Sequence, residues 1–103
     1  MKNPNRKTVS KLEHLPNIGK KMAHYLNMAG IQTPQSLIKK DAFDLYAKLC
    51  KKIGKKLDPC IIDVFISAID FMEGGEPKAW WEFTDERKRT FRENVTKIAK
   101  KFS

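Results

Sequence analysis

Apolar residues recur at intervals of three and four along most of the chain, and no stretch shows the sustained alternation of a strand. This pattern predicts an all-α protein. The most apolar segment, residues 60–73, is expected to be the central core helix, with Phe65 and Ile69 buried. Its carboxylates Asp63 and Asp70 are expected on the outer, solvent-facing edge of that helix.

Capping and turn residues divide the rest of the chain into short helices. They predict five or six helices in a SAM-like arrangement, forming one domain over residues 1–103 with a mobile polar lead-in at 1–7. The boundary signals are Ser10 with Glu13 as a capping box, Gly19, Gly30, Thr33-Pro34, Asp41, Gly54, Asp58-Pro59, Gly74-Gly75 and Thr84.

The last predicted helix carries a narrow apolar stripe, which is either part of the core or a dimer seam. Its members are Phe91, Val95, Ile98 and Phe102. Trp80 and Trp81 precede this helix. They either seal it onto the core or stack on exposed bases, and sealing by at least one of them is favoured.

Net charge narrows the choice of partner. The 103 residues include 21 Lys and Arg against 12 Asp and Glu, for a net charge of +9. So basic a chain favours a polyanion, either nucleic acid or an anionic membrane surface. No uninterrupted apolar segment is long enough to span a bilayer, and two cysteines without an export signal favour a reducing cytoplasm.

Residues 12–26 carry the clearest functional signal. Two short helices joined by a tight turn would need positive φ at Gly19 or Asn17, and Ile18 between them would anchor the turn in the core. Gly19 would leave the first amides of the next helix open to an anion, beside two lysines. The predicted phosphate-binding set is Asn17, Ile18, Gly19, Lys20, Lys21 and His24.

The segment resembles the helix-hairpin-helix DNA-binding motif, through Leu15-Pro16-Asn17-Ile18-Gly19 and Ala23. The resemblance implies binding to the DNA backbone without reading bases. The chain departs from the motif at Asn17, where glycine is usual. An asparagine side chain there is expected to crowd a phosphate.

A wider resemblance covers roughly residues 10–90. It is carried by Leu49-Cys50, by Asp58-Pro59-Cys60 with the apolar run that follows, and by Trp80-Trp81-Glu82-Phe83-Thr84 with Arg87. These segments are similar to the pathogenicity-locus helix-hairpin-helix family of small bacterial proteins, some of which are labelled mitomycin-resistance proteins. The resemblance implies a compact all-α protein, no established enzymatic activity and a link to DNA damage.

Other basic residues offer a secondary surface. Ile53-Gly54-Lys55-Lys56 repeats the Ile-Gly-Lys-Lys of the predicted hairpin, and is interpreted either as a second hairpin or, preferably, as a glycine helix terminus. The possible secondary basic surface comprises Lys51, Lys52, Lys55, Lys56, Arg87 and Lys88.

No residue pattern predicts an enzyme, a metal site or a cofactor. Cys60 is interpreted as a small core residue, with an activated thiol at a helix start as the alternative. The favoured function is non-specific DNA binding, accessory to DNA repair or mitomycin resistance. A protein-interaction adaptor and, third, a thiol-dependent enzyme are the alternatives, and the oligomeric state is left open.

Overall fold

The computed structural model describes residues 5–85. They form three α-helices, α1 (Lys20–Met28), α2 (Ala42–Ile53) and α3 (Cys60–Met72), with no β-strand among these residues. The all-α prediction is therefore confirmed for this part of the chain. The last predicted helix and its apolar stripe lie mostly outside the described residues.

Two of the shorter predicted helices are single 3₁₀ turns, which span Leu12–His14 and Pro34–Leu37. A third 3₁₀ turn, Trp80–Phe83, lies in the connector that precedes the last predicted helix and is called the Trp turn below. The predicted capping box at Ser10 is wrong, because the N-cap of the first turn is Lys11 and no side chain caps it. Such turns are too short to need the full set of caps that an α-helix requires.

Helix α2 begins and ends where the sequence predicts. The Asp41 side chain accepts hydrogen bonds from the backbone amides of Phe43 and Asp44 at its start. Gly54 ends it with a φ of 91°, in the left-handed region that glycine adopts without steric cost. One face of α2 is buried against α3 and α1.

Helix α3 is the centre of the fold, as predicted. Phe65 and Ile69 are buried, and the helix packs against α2, the Pro34–Leu37 turn and the Trp turn. An Asp58 carboxylate oxygen accepts a hydrogen bond of 2.9 Å from the Cys60 amide at the start of the helix. Contact on several sides explains why its sequence is apolar almost all round.

The two carboxylates expected on the outer edge of α3 are less exposed than predicted. Asp63 is fully buried, and one of its carboxylate oxygens accepts a hydrogen bond of 2.9 Å from the Thr84 hydroxyl. The backbone of Thr84 is already helical, so this residue bonds to α3 instead of serving as the predicted N-cap. Asp70 is half-buried, and a Cβ at Gly75 would lie 2.1 Å from its Oδ2.

Arg6, in the predicted lead-in, is joined to the end of α3. Its guanidinium donates to the carbonyls of Phe71 and Gly75, both at 2.8 Å, and lies 5.0 Å from the centre of the Phe71 ring. A cation at these last carbonyls satisfies acceptors that the helix leaves open and complements the negative end of its dipole. Arg6 is therefore part of the folded unit.

Candidate nucleic-acid interface

The turn between Leu12–His14 and α1, residues 15–19, rests directly on the core. Leu15 and Ile18 are buried, and the Ile18 amide donates to the Leu15 carbonyl at 3.2 Å. Ala23, one turn into α1, is buried as well. The predicted role of Ile18 as a core anchor is confirmed, so its side chain ties the 15–19 turn to the core.

The left-handed conformation in this turn belongs to Asn17. Its φ is 66°, whereas Gly19 has a φ of −99° and extended backbone. The sequence predicts positive φ at Gly19 or Asn17, and the structure has it at Asn17. Asparagine adopts the left-handed region more readily than most residues, so a non-glycine residue is accommodated at this position.

The Asn17 side chain points into the molecule. Its amide nitrogen donates to the Ser67 hydroxyl at 3.1 Å and to the Lys78 carbonyl at 2.6 Å. It thus joins the 15–19 turn to α3 and to the segment that leads into the Trp turn. These two bonds hold the side chain on the inner side of the turn, whereas the expected crowding of a phosphate assumed a side chain that points outward.

The N-terminus of α1 is open. Gly19 is its N-cap, no side chain caps it, and a Cβ built on Gly19 would meet no atom within 4 Å. The first helical bond runs from the Ala23 amide to the Gly19 carbonyl at 2.9 Å, so the amides of residues 19–22 precede the hydrogen-bonded ladder. Amides in this position, together with the helix dipole, attract an anion.

Cationic side chains lie beside this open end. Lys20, Lys21 and His24 are all exposed, and Lys20 and His24 are one helical turn apart. The Lys21 ammonium lies 5.7 Å from the centre of the Tyr25 ring. The structure thus divides the predicted set, with the Asn17 side chain and Ile18 directed inward and the other four members on the surface.

The secondary basic residues occupy a different kind of site. Lys51 and Lys52 are exposed in the last turn of α2, where positive charge complements the helix dipole, and Lys55 and Lys56 are exposed beyond Gly54. Gly54 ends α2 and the next α-helix begins only at Cys60, so the second Ile-Gly-Lys-Lys is a helix terminus and not a second hairpin. Arg87 and Lys88 lie outside the described residues.

The cysteines have different surroundings. Cys50 is buried and its sulfur accepts a 3.4 Å hydrogen bond from the Leu57 amide, whereas Cys60 is only half-buried and so less of a core residue than predicted. Near them, the Tyr46 hydroxyl donates to the Leu57 carbonyl. Burial, and next the neighbouring Cys50, raise the pKa of Tyr46. Within residues 5–85, no three His, Cys, Asp or Glu side chains are grouped to hold a metal ion.

The sequence reasoning missed Ser67 and Lys78, which position Asn17. The spacing of Asp63, Ser67 and Asp70 carried a usable signal, because residues four and seven apart share one face of a helix. A polar stripe on the most buried helix indicates polar partners from other segments. Two of those partners are Asn17 and Thr84.

Comparison with known proteins identifies the family. A family model described as pathogenicity locus, Cdd1, matches residues 5–89 of the chain. The chain belongs to the Cdd1 family. This Cdd1 chain is also 39% identical over 80 residues to a mitomycin resistance protein, McrB, of Streptomyces lavendulae, across 78% of this chain and 76% of the relative. No solved structure is significantly similar to it.

Among residues 5–85 of this Cdd1 chain, no helix has the length and apolarity that a bilayer-spanning segment requires.

Proposed function

We propose that the protein binds the DNA backbone without sequence preference, through the N-terminus of α1. The observation that carries this proposal is the open, uncapped start of α1 at Gly19, flanked by the exposed Lys20 and Lys21. The amides would donate to one phosphate and the ammonium groups would approach its neighbours. Such contacts fix a protein on a duplex but carry no sequence information.

Rigidity favours this site over the other basic surfaces. Ile18 anchors the 15–19 turn in the core, and the two hydrogen bonds of Asn17 fix its inner side. The amides are therefore already oriented before DNA arrives, and little conformational freedom is lost on binding. Lys51 and Lys52 lie in the last turn of α2, at the negative end of its dipole. They supply positive charge there, but no open backbone amides lie beside them to bind a phosphate.

The proposed cellular role is accessory to DNA repair or to mitomycin resistance in the cytoplasm. It is supported by the name of the Streptomyces lavendulae relative, a mitomycin resistance protein, together with the net charge of +9. We propose no catalytic activity and no cofactor, and the helix-hairpin-helix arrangement is part of this proposal.

The test compares two double variants that each remove two neighbouring exposed lysines. Lys20→Ala with Lys21→Ala alters the proposed site, and Lys51→Ala with Lys52→Ala is the matched control for lost charge. Affinity for a labelled duplex is measured by fluorescence anisotropy at several salt concentrations. We expect a log–log salt slope of roughly −2 to −4 for the wild type, reduced by about one to two units in the first variant.

The control variant should keep most of the wild-type slope, and thermal melts should show that both variants are folded. Equal losses in the two variants would mean that charge alone, and not the α1 site, binds DNA. Absence of binding to any DNA at about 50 mM salt would refute the proposal. It would favour the protein-interaction adaptor. A shallow groove of about 260 Å³ between α2 and α3, lined in part by Phe43, Ile66 and Ile69, could bind a partner protein.

A further inference from the structure

The Trp turn presents one large aromatic ring to solvent. Trp81 is 63% exposed, and Ile38, at 43%, is the other exposed large apolar side chain among residues 5–85. Trp80, beside it, is half-buried and packs against the core. Trp80 is therefore the tryptophan that packs against the core, and Trp81 is the one that the described residues leave exposed. The helix that a tryptophan was predicted to seal lies mostly outside the described residues.

The exposed ring is supported by its neighbour. The two indoles meet edge to face, with ring centres 5.7 Å apart and an interplanar angle of 84°. This is a favoured geometry for an aromatic pair, so Trp80 limits the orientations open to Trp81. Because Trp81 is 63% exposed beside this second ring, its ring surface remains available for stacking.

Hydrogen bonds at both ends fix the Trp turn. The Glu82 carboxylate accepts a 2.9 Å bond from the Ala79 amide, which directs that negative charge back onto the turn. Phe83 is buried, and the Thr84 hydroxyl bonds to Asp63 of α3. Trp81 is thus exposed on a segment whose two ends are fixed by hydrogen bonds.

The Trp turn is also joined to the proposed phosphate site. The Lys78 carbonyl accepts the 2.6 Å hydrogen bond from Asn17, in the 15–19 turn that leads into α1. Trp81 lies three positions after Lys78, so their Cα atoms are at most about 11 Å apart. With the link from Lys78 through Asn17 to Gly19 added, Trp81 lies within several nucleotides of the start of α1, at about 3.4 Å of axial rise each.

We propose that Trp81 stacks on an unpaired base of the DNA strand whose backbone occupies the α1 site. The inference rests on the proposed function and narrows its substrate to DNA with an unstacked base, such as a single strand, a bulge or a flap. Inside an intact duplex both faces of a base are covered by its neighbours. Every base has a π-face, so the preference is for structure and not for sequence.

The experiment measures the affinity of the full chain for two labelled DNAs of equal length and charge. One is an intact duplex, and the other carries a single unpaired thymine at its centre. Trp81→Ala and Trp81→Phe are compared with the wild type, and Ile38→Ala is the control for loss of an exposed apolar side chain. We expect the wild type to prefer the bulged DNA, and Trp81→Ala to bind it roughly 5- to 100-fold more weakly.

Trp81→Ala should leave the affinity for the intact duplex unchanged. Trp81→Phe should keep much of the preference for the bulged DNA over the intact duplex. Ile38→Ala should bind both DNAs as the wild type does. The Lys20→Ala, Lys21→Ala variant should lose affinity for both DNAs alike, which separates phosphate binding from stacking. Equal wild-type affinity for the two DNAs would overturn the stacking proposal and leave the proposed function intact. Failure of the wild type to bind either DNA would overturn both.

Discussion

At the scale of single residues, Asn17 and Gly19 of the 15–19 turn have separate roles. Asn17 carries the left-handed backbone and the inward hydrogen bonds, whereas Gly19 has ordinary extended backbone and open space around it. The glycine is therefore not needed for the backbone shape. Its lack of a side chain matters only if something approaches the amides of α1.

This separation predicts opposite effects for two glycine variants. Gly19→Ala should change the free energy of unfolding by no more than about 0.5 kcal/mol, since its φ suits alanine. It should weaken DNA binding by about 1–2 kcal/mol, because its methyl group covers charge-assisted donors. Gly30→Ala, at a φ of 94°, should cost about 1 kcal/mol of stability and keep DNA affinity. Urea unfolding measures the stability of both variants, and fluorescence anisotropy measures their DNA affinity. If Gly19→Ala binds DNA as tightly as the wild type, the N-terminus of α1 does not bind a phosphate.

Asn17 yields a second prediction at this scale. Asn17→Gly loses the bonds to Ser67 and Lys78 but keeps the left-handed backbone, and should cost about 1–2 kcal/mol. Asn17→Ala loses the same bonds and also forces a Cβ into that backbone, so it should cost about 1 kcal/mol more. Urea unfolding of both variants measures the difference. If the alanine variant is the more stable of the two, the positive φ at this position carries no cost.

At the scale of elements, features fixed by neighbouring residues were predictable. Each such feature depends only on the type of one residue and on its position next to an apolar run. Examples are the Asp41 cap, the Gly54 terminus and the positive φ of Gly30. The α-helical or 3₁₀ character of the short segments was not predictable in this way. Only α1, α2 and α3 are long enough for the 3.6-residue period to be decisive.

Features that depend on segments far away in the chain could not be predicted from the sequence. Asp63 is buried and accepts a hydrogen bond from Thr84, 21 residues further along, and periodicity within α3 does not reveal which segment covers that face. Likewise, the polar side chain of Asn17 suggested an outward position. Its two acceptors lie 50 and 61 residues away in the chain. The inward orientation of the Asn17 side chain therefore could not be predicted from the residues next to it in the chain.

The connection between α2 and α3 gives a prediction about pH. The Tyr46 hydroxyl donates to the Leu57 carbonyl, and burial raises the pKa of Tyr46 above its ordinary value. Below about pH 10 the tyrosine is neutral in both states, so the hydroxyl contributes its full stabilisation. At higher pH the unfolded state loses the proton while the folded state keeps it, and that stabilisation is progressively lost.

Tyr46→Phe should therefore be less stable than the wild type by about 1 kcal/mol at pH 8, and the gap should shrink between about pH 10 and 11. Thermal melts of both proteins at each pH measure the gap. The other titrating groups are common to both chains and cancel in the comparison. A gap that is the same at pH 8 and pH 11 would show that Tyr46 ionises alike in the folded and unfolded states.

At the scale of the whole molecule, one hydrophobic core supports both proposed contacts with DNA. Ile18 of the 15–19 turn and Phe65 of α3 belong to the same buried cluster, and Trp80 packs against it. Residues 58–76 carry five acids and no base, and Asp63 and Asp70 of α3 are among them, whereas exposed lysines lie at the start of α1 and in the last turn of α2.

The shared core predicts that folding and DNA binding are lost together. Phe65 is fully buried, so Phe65→Ala should cost about 3–5 kcal/mol, a large part of the 5–15 kcal/mol typical of small domains. Since Ile18 is anchored in the same cluster, the α1 site should keep its affinity below the lowered melting temperature and lose it across the same transition. Circular dichroism and DNA anisotropy, followed along one temperature ramp, should give the same midpoint. Ile38→Ala, which removes an exposed side chain, should melt as the wild type does. If the Phe65→Ala variant loses DNA binding while it is still helical, the 15–19 turn unfolds independently of the core.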